Sequence, residues 1–73
     1  MRYRELIQIL TADGWYEDSH TGGHKMFKHP SKQNKVPVKI HSGELDPKYV
    51  KMVLAEAGLR GINSLKDLKG RKS

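Results

Sequence analysis

Two helical patterns, each halted by a glycine, bracket a stretch with the texture of strands, and this order limits the chain to a few folds. Tyr3, Leu6, Ile7 and Leu10 recur at helical spacing within residues 3–13, and Gly14 stands at the usual stop. Asp46-Pro47 opens a second helix with an N-cap residue followed by proline in the first turn. Val50, Val53, Leu54 and Ala57 share one face of it. Gly58 ends it, and Leu59 is placed to fold back in a Schellman closure.

Between them, residues 15–20 read as a short strand and Thr21-Gly22-Gly23 as a tight turn. His24 to His29 is a second strand, and residues 30–35, with proline, serine and asparagine among lysines, are expected to be a loop. Val36, Val38 and Ile40 then alternate with Pro37, Lys39 and His41, a period-two strand with one buried face. Pro37 suits an edge position. The expected fold is α+β: helix, three antiparallel strands, helix, with both helices on one sheet face in a two-layer sandwich.

At 73 residues there is room for one small domain with a thin core. The absence of cysteine excludes a disulfide scaffold, a thiolate zinc site and a cysteine nucleophile. The domain is expected over residues 1–59. Residues 60–73 hold five Lys or Arg against Asp67, with Ile62, Leu65 and Leu68 near helical spacing, and read either as a loosely docked turn or as a frayed basic extension. The longest apolar runs fall far short of the ~20 residues needed to span a bilayer, and no signal-peptide stretch follows the first residues. The expected location is the cytoplasm, with no membrane association.

Fourteen Lys and Arg against eight Asp and Glu give a formal charge of +6, a balance that favours polyanionic partners. Residues 19–43 concentrate this charge: they contain all four histidines, five lysines and no acid. If Val36, Val38 and Ile40 face the core, then Pro37, Lys39 and His41 face outward. Phe27 is the better core candidate of the second strand, with Met26 the alternative. With Phe27 inward, Lys25 and His29 share its side, and His24, Met26 and Lys28 lie outside. A simple register across the 30–35 loop opposes 28 with 37, 26 with 39 and 24 with 41, making His24 and His41 cross-strand neighbours.

A histidine–lysine face suits phosphodiester chemistry in RNA. Neutral imidazole, which titrates near about pH 6.5, can accept the proton of a ribose 2′-hydroxyl, and lysines can stabilise charge on the phosphate. Each histidine also has a plainer role: His20 as polar surface at a turn, His29 as a strand-end cap or phosphate contact, His41 bonded to the turn backbone at Ser42-Gly43. A metal site at His20 and His24 is disfavoured, because no carboxylate falls in the segment and the lysines repel a cation.

The chain resembles the HicA family of bacterial toxins over roughly residues 3–59. The resemblance rests on the opening helix closing in Gly14-Trp15, on Gly22-Gly23-His24 followed by Phe27-Lys28-His29-Pro30, on the valine-rich strand ending in His41, and on Glu44-Leu45 before a helix ending Ala57-Gly58-Leu59. It implies a fold similar to double-stranded RNA-binding domains and a metal-independent, cofactor-free endoribonuclease that cleaves mRNA. It implies that His24 is the catalytic histidine and that a HicB antitoxin binds the toxin and covers its active site. Lys25, Lys28 and Lys39 are then expected to bind RNA phosphates, with His41 as an assistant. Gly23 stands where the family usually has serine, which keeps the turn and removes a hydroxyl. The third-strand proline lies further from its histidine than is usual in the family. No DNA-reading helix is evident, so direct DNA binding is not expected. Two other functions fit the same residues: a non-catalytic RNA-binding module of this fold, and a protein-interaction domain whose only partner is an antitoxin-like protein.

Overall fold

The computed structural model describes residues 1–41, 43–62 and 64–69. The elements are α1 (Tyr3–Asp13), β1 (Tyr16–Thr21), β2 (His24–His29), β3 (Lys32–Lys39), α2 (Pro47–Glu56) and a short α3 (Leu65–Lys69). The strands form one antiparallel sheet in the order β1-β2-β3. Phe27, Val36 and Val38 on one sheet face pack with Leu6, Ile9 and Leu10 of α1 and Val50, Val53 and Leu54 of α2 in a single core. This is the expected two-layer α+β arrangement, with the opposite sheet face open. Phe27, not Met26, takes the core position.

The two long helices end in the same way. In α1, the Trp15 amide donates to Leu10 O at 3.0 Å and the Gly14 amide to Thr11 O at 3.1 Å. In α2, the Leu59 amide donates to Leu54 O at 2.7 Å and the Gly58 amide to Ala55 O at 3.1 Å. Both are Schellman closures, with glycine at positive φ and the next residue buried: Trp15 after Gly14, Leu59 after Gly58. At its start, α2 is capped by Asp46, whose Oδ1 accepts from the Lys48 amide at 2.8 Å.

One lysine joins the two closures. Lys32 Nζ donates to Asp13 Oδ2 at 3.0 Å and to Ala57 O at 2.6 Å, and lies 5.2 Å from the centroid of the Trp15 ring. The same Asp13 carboxylate accepts from Trp15 Nε1 at 3.1 Å. Gly14 is required here for two reasons. Its φ of 109° is in the region that L side chains avoid, and a Cβ would lie 2.7 Å from His29 Nε2.

The β2–β3 connection differs from expectation. Only Pro30 and Ser31 form the turn, and β3 begins at Lys32, within the expected loop. His29 pairs with Lys32, but Phe27 pairs with Val36, so three β3 residues stand against Lys28 alone. This bulge lets Lys32 reach the helix ends while Val36 and Val38 still reach the core. The resulting register pairs His24 with Lys39 and Met26 with Pro37, two residues away from the expected pairing. An even shift keeps each side chain on its face but changes its neighbours. The expected inward position of Ile40 is also corrected: β3 stops at Lys39, and Ile40 is 37% exposed. Its amide instead donates to Gly23 O at 2.7 Å.

Beyond Leu59, Ile62 enters the core and α3 packs against α1, with Leu68 half-buried. Residues 70–73 of the expected basic extension lie outside the described residues. Among the described residues, no helix is long and apolar enough to cross a membrane.

Denaturant unfolding of substituted chains tests this frame. Gly14→Ala is expected to cost more than about 2 kcal/mol, combining backbone strain with the His29 clash. Gly61→Ala, also at positive φ but with open space around it, should cost only about 1–2 kcal/mol. Lys32→Met should destabilise by about 2 kcal/mol, and a double-mutant cycle with Asp13→Asn should show coupling of about 1 kcal/mol. Additive effects would show that the Lys32–Asp13 contact carries no stability.

Candidate functional site

The Gly22-Gly23 turn delivers His24 to the first position of β2, on the open face of the sheet. His24 is exposed, and among the described residues its ring has no hydrogen-bond or ionic partner. It pairs with Thr21 of β1 on one side and Lys39 of β3 on the other, so the Lys39 side chain stands beside it on the same face. The Lys39 amide donates to Tyr49 Oη of α2 at 2.9 Å, which anchors the end of β3. The Lys39 side chain is exposed and has no carboxylate partner among the described residues.

The other histidines separate into distinct roles. His29 is structural: Nε2 lies 2.7 Å from Asp13 O, Nδ1 accepts from the Ser31 amide at 3.0 Å, and the ring meets Trp15 edge-on with centroids 5.3 Å apart. The Nε2–H tautomer satisfies both bonds. His20 Nε2 lies 3.1 Å from Gly22 O and closes the hairpin turn. His41 is exposed beyond the end of β3. The observed register removes its expected pairing with His24, and it faces the starts of α1 and α2 instead. Its expected contact with the backbone at Ser42 lies outside the described residues.

The acid-free segment does not remain acid-free in three dimensions. β1 and the end of α1 bring three carboxylates onto it. Lys25 Nζ lies 3.0 Å from Glu17 Oε1, Lys28 Nζ 3.5 Å from Asp18 Oδ1, and Lys32 is held by Asp13. The hydrogen bond that Lys25 donates to Glu17 is the main cause that raises its ammonium above the ordinary pKa, with the nearby Tyr3 adding to it. Lys25 lies on the helix-covered side, Lys28 on the open side near Tyr16, so of the three lysines expected to meet phosphate only Lys39 is unpaired among the described residues. Among the described residues, no group of three or more histidine or acidic side chains is gathered as metal ligands.

Reading residues 19–43 as a unit overlooked the first residues of the chain. The Leu45 amide donates to Met1 O at 2.9 Å and the Tyr3 amide to Gly43 O at 3.3 Å, forming an isolated antiparallel bridge between Arg2 and Glu44. This brings Arg2 and Arg4 beside His41. Nothing in the local sequence marks that approach, because an isolated bridge has no periodicity.

The family model described as "HicA toxin of bacterial toxin-antitoxin" matches residues 3–59. A comparison with curated proteins finds no match. The matched span runs from the first residue of α1 to the buried leucine that closes α2, and it takes in the whole sheet with its open histidine–lysine face. With most of its length in that match and every element of the expected order in place, the chain belongs to the HicA toxin family of bacterial toxin–antitoxin systems.

Proposed function

We propose that this toxin is an endoribonuclease that cleaves mRNA with His24 as its acid–base residue and without a metal or other cofactor. The observation that carries this reading is the placement of His24: an exposed imidazole directly opposite Lys39 on an open sheet face, both side chains without a partner among the described residues. The neutral ring accepts the proton of a ribose 2′-hydroxyl, and the 2′-oxygen attacks the adjacent phosphorus. The bond from phosphorus to the 5′-oxygen breaks, and that oxygen takes a proton from the His24 imidazolium, which returns the ring to its neutral form. The products are a 2′,3′-cyclic phosphate and a free 5′-hydroxyl. Lys39 stabilises the charge that develops on the non-bridging oxygens.

Lys28 and Lys25 are weaker phosphate ligands in this scheme, because a phosphate must compete with Asp18 and Glu17 for them. His41 assists from beyond the strand end, binding RNA rather than sharing the proton transfer. Gly23 leaves space beside the histidine where a serine hydroxyl would otherwise stand. Membership of a toxin–antitoxin family implies an antitoxin partner. A HicB antitoxin seated over the His24–Lys39 face would inhibit by excluding RNA.

Cleavage of a long single-stranded RNA in the presence of EDTA tests the chemistry. The parent is expected to cut and leave cyclic phosphate ends, while His24→Ala, shown by circular dichroism to be folded, should lose about 10²–10⁴-fold in rate. Undiminished cutting by His24→Ala would remove the assignment. If neither protein cuts but both retain RNA, the face is a binding surface only. Lys39→Ala should weaken RNA binding and lower the slope of log K against log salt by about 0.7, one single-strand phosphate contact. An unchanged slope would take Lys39 out of the interface.

A further inference from the structure

A second concavity lies away from His24. It is an open groove of about 610 Å³ between the start of α1 and the segment after β3, lined by Arg2, Arg4, Glu5 and Gln8 together with His41. Neither arginine has an ion pair or hydrogen bond from its guanidinium among the described residues. The carboxylate nearest in pairing, Glu44 across the bridge from Arg2, bonds the Met1 amino group at 3.1 Å instead. The groove therefore presents two unpaired guanidiniums and an imidazole against a single lining carboxylate, Glu5.

The groove is continuous with the proposed cleavage face. His41 also lines a smaller depression of about 160 Å³ shared with Lys39, Tyr49, Leu45 and Asp46, whose carboxylate caps α2 by accepting from the Lys48 amide. Lys39 in turn stands opposite His24. A row of basic side chains thus runs from His24 over Lys39 and His41 to Arg2 and Arg4, flanked by the carboxylates of Asp46 and Glu5. We propose that this groove is a distal RNA-backbone subsite, in which Arg2 and Arg4 hold phosphates of the strand several nucleotides from the one cleaved at His24. Guanidinium forks bind phosphate oxygens in pairs, which suits positioning of a flexible strand. Gln8 offers an amide to sugar or phosphate oxygens at the far wall. Arg2 and Arg4 are positioning residues in this scheme, since neither is placed at the reacting atoms. The inference takes its substrate from the ribonuclease reading above.

The test uses the full chain carrying His24→Ala, so that RNA survives, and fluorescence anisotropy with labelled single-stranded RNA. Arg2→Gln with Arg4→Gln should weaken binding of an octanucleotide at least tenfold. It should also lower the salt slope by about 1.4, two single-strand contacts. A dinucleotide, too short to reach from His24 to the groove, should bind both proteins equally. Glu5→Gln should tighten octanucleotide binding, an effect that a merely structural role of this helix face would not produce. With His24 intact, the arginine pair should raise KM and leave kcat unchanged. Equal octanucleotide affinity and equal salt slope in the folded arginine variant would overturn the subsite, even if the parent cleaves RNA. Conversely, loss of octanucleotide binding in a chain whose parent never cleaves would keep the subsite and remove the ribonuclease reading.

Discussion

Lys32 holds together the parts of this domain that carry no backbone pairing to one another. Its ammonium bonds the Asp13 carboxylate at the end of α1 and the Ala57 carbonyl at the end of α2, beneath the Trp15 ring. Both helices arrive there through the same glycine closure, and each drives the following apolar residue into the core. The contact is partly buried, so it is less screened than a surface ion pair, and the Ala57 carbonyl is one of the last acceptors of α2 with no intrahelical donor. A charged donor at a helix C-terminus also complements the helix dipole. The β3 bulge follows from this demand: Lys32 must reach the helix ends while Val36 reaches the core.

That constraint shapes the face on the far side of the sheet. The bulge sets the register, and the register decides which cation stands beside His24. It is Lys39, whose backbone is tied to Tyr49 of α2. His29, at the other end of the same strand, is consumed by the frame: both ring nitrogens are bonded and the ring rests on Trp15. Two histidines on one six-residue strand thus have opposite fates. One end of β2 lies against the helix closures and is covered, while the other end projects past them with the hairpin turn.

Much of the architecture was legible in the residues. The 3.6-residue periodicity, the Asp46-Pro47 start and the glycine stops located both long helices, and the alternation at Val36 and Val38 oriented β3. His24 was legible as an open-face histidine because an even register shift preserves the face. The loop at residues 30–35 was misread because Lys, Gln and Asn carry no strand signal of their own; Lys32 is fixed there by Asp13 and Ala57, which are distant in sequence. Ile40 was misassigned because alternation shows only which side a residue faces, not whether a helix extends far enough to cover it. The lysines looked unopposed because their carboxylates, Glu17, Asp18 and Asp13, lie outside the segment and return through the β1–β2 pairing and the helix end.

The sequence by itself determined the order of the sheet and the two long helices, the core-facing side of Val36 and Val38 and the net positive charge. These follow from local periodicity, capping chemistry and composition, which need no knowledge of distant contacts. Only the tertiary structure decided which lysines are neutralised, which histidine is structural and that Arg2 and Arg4 lie beside His41. Ion pairing depends on distances of a few ångströms between residues far apart in the chain, and a single register shift of two residues is enough to exchange every partner.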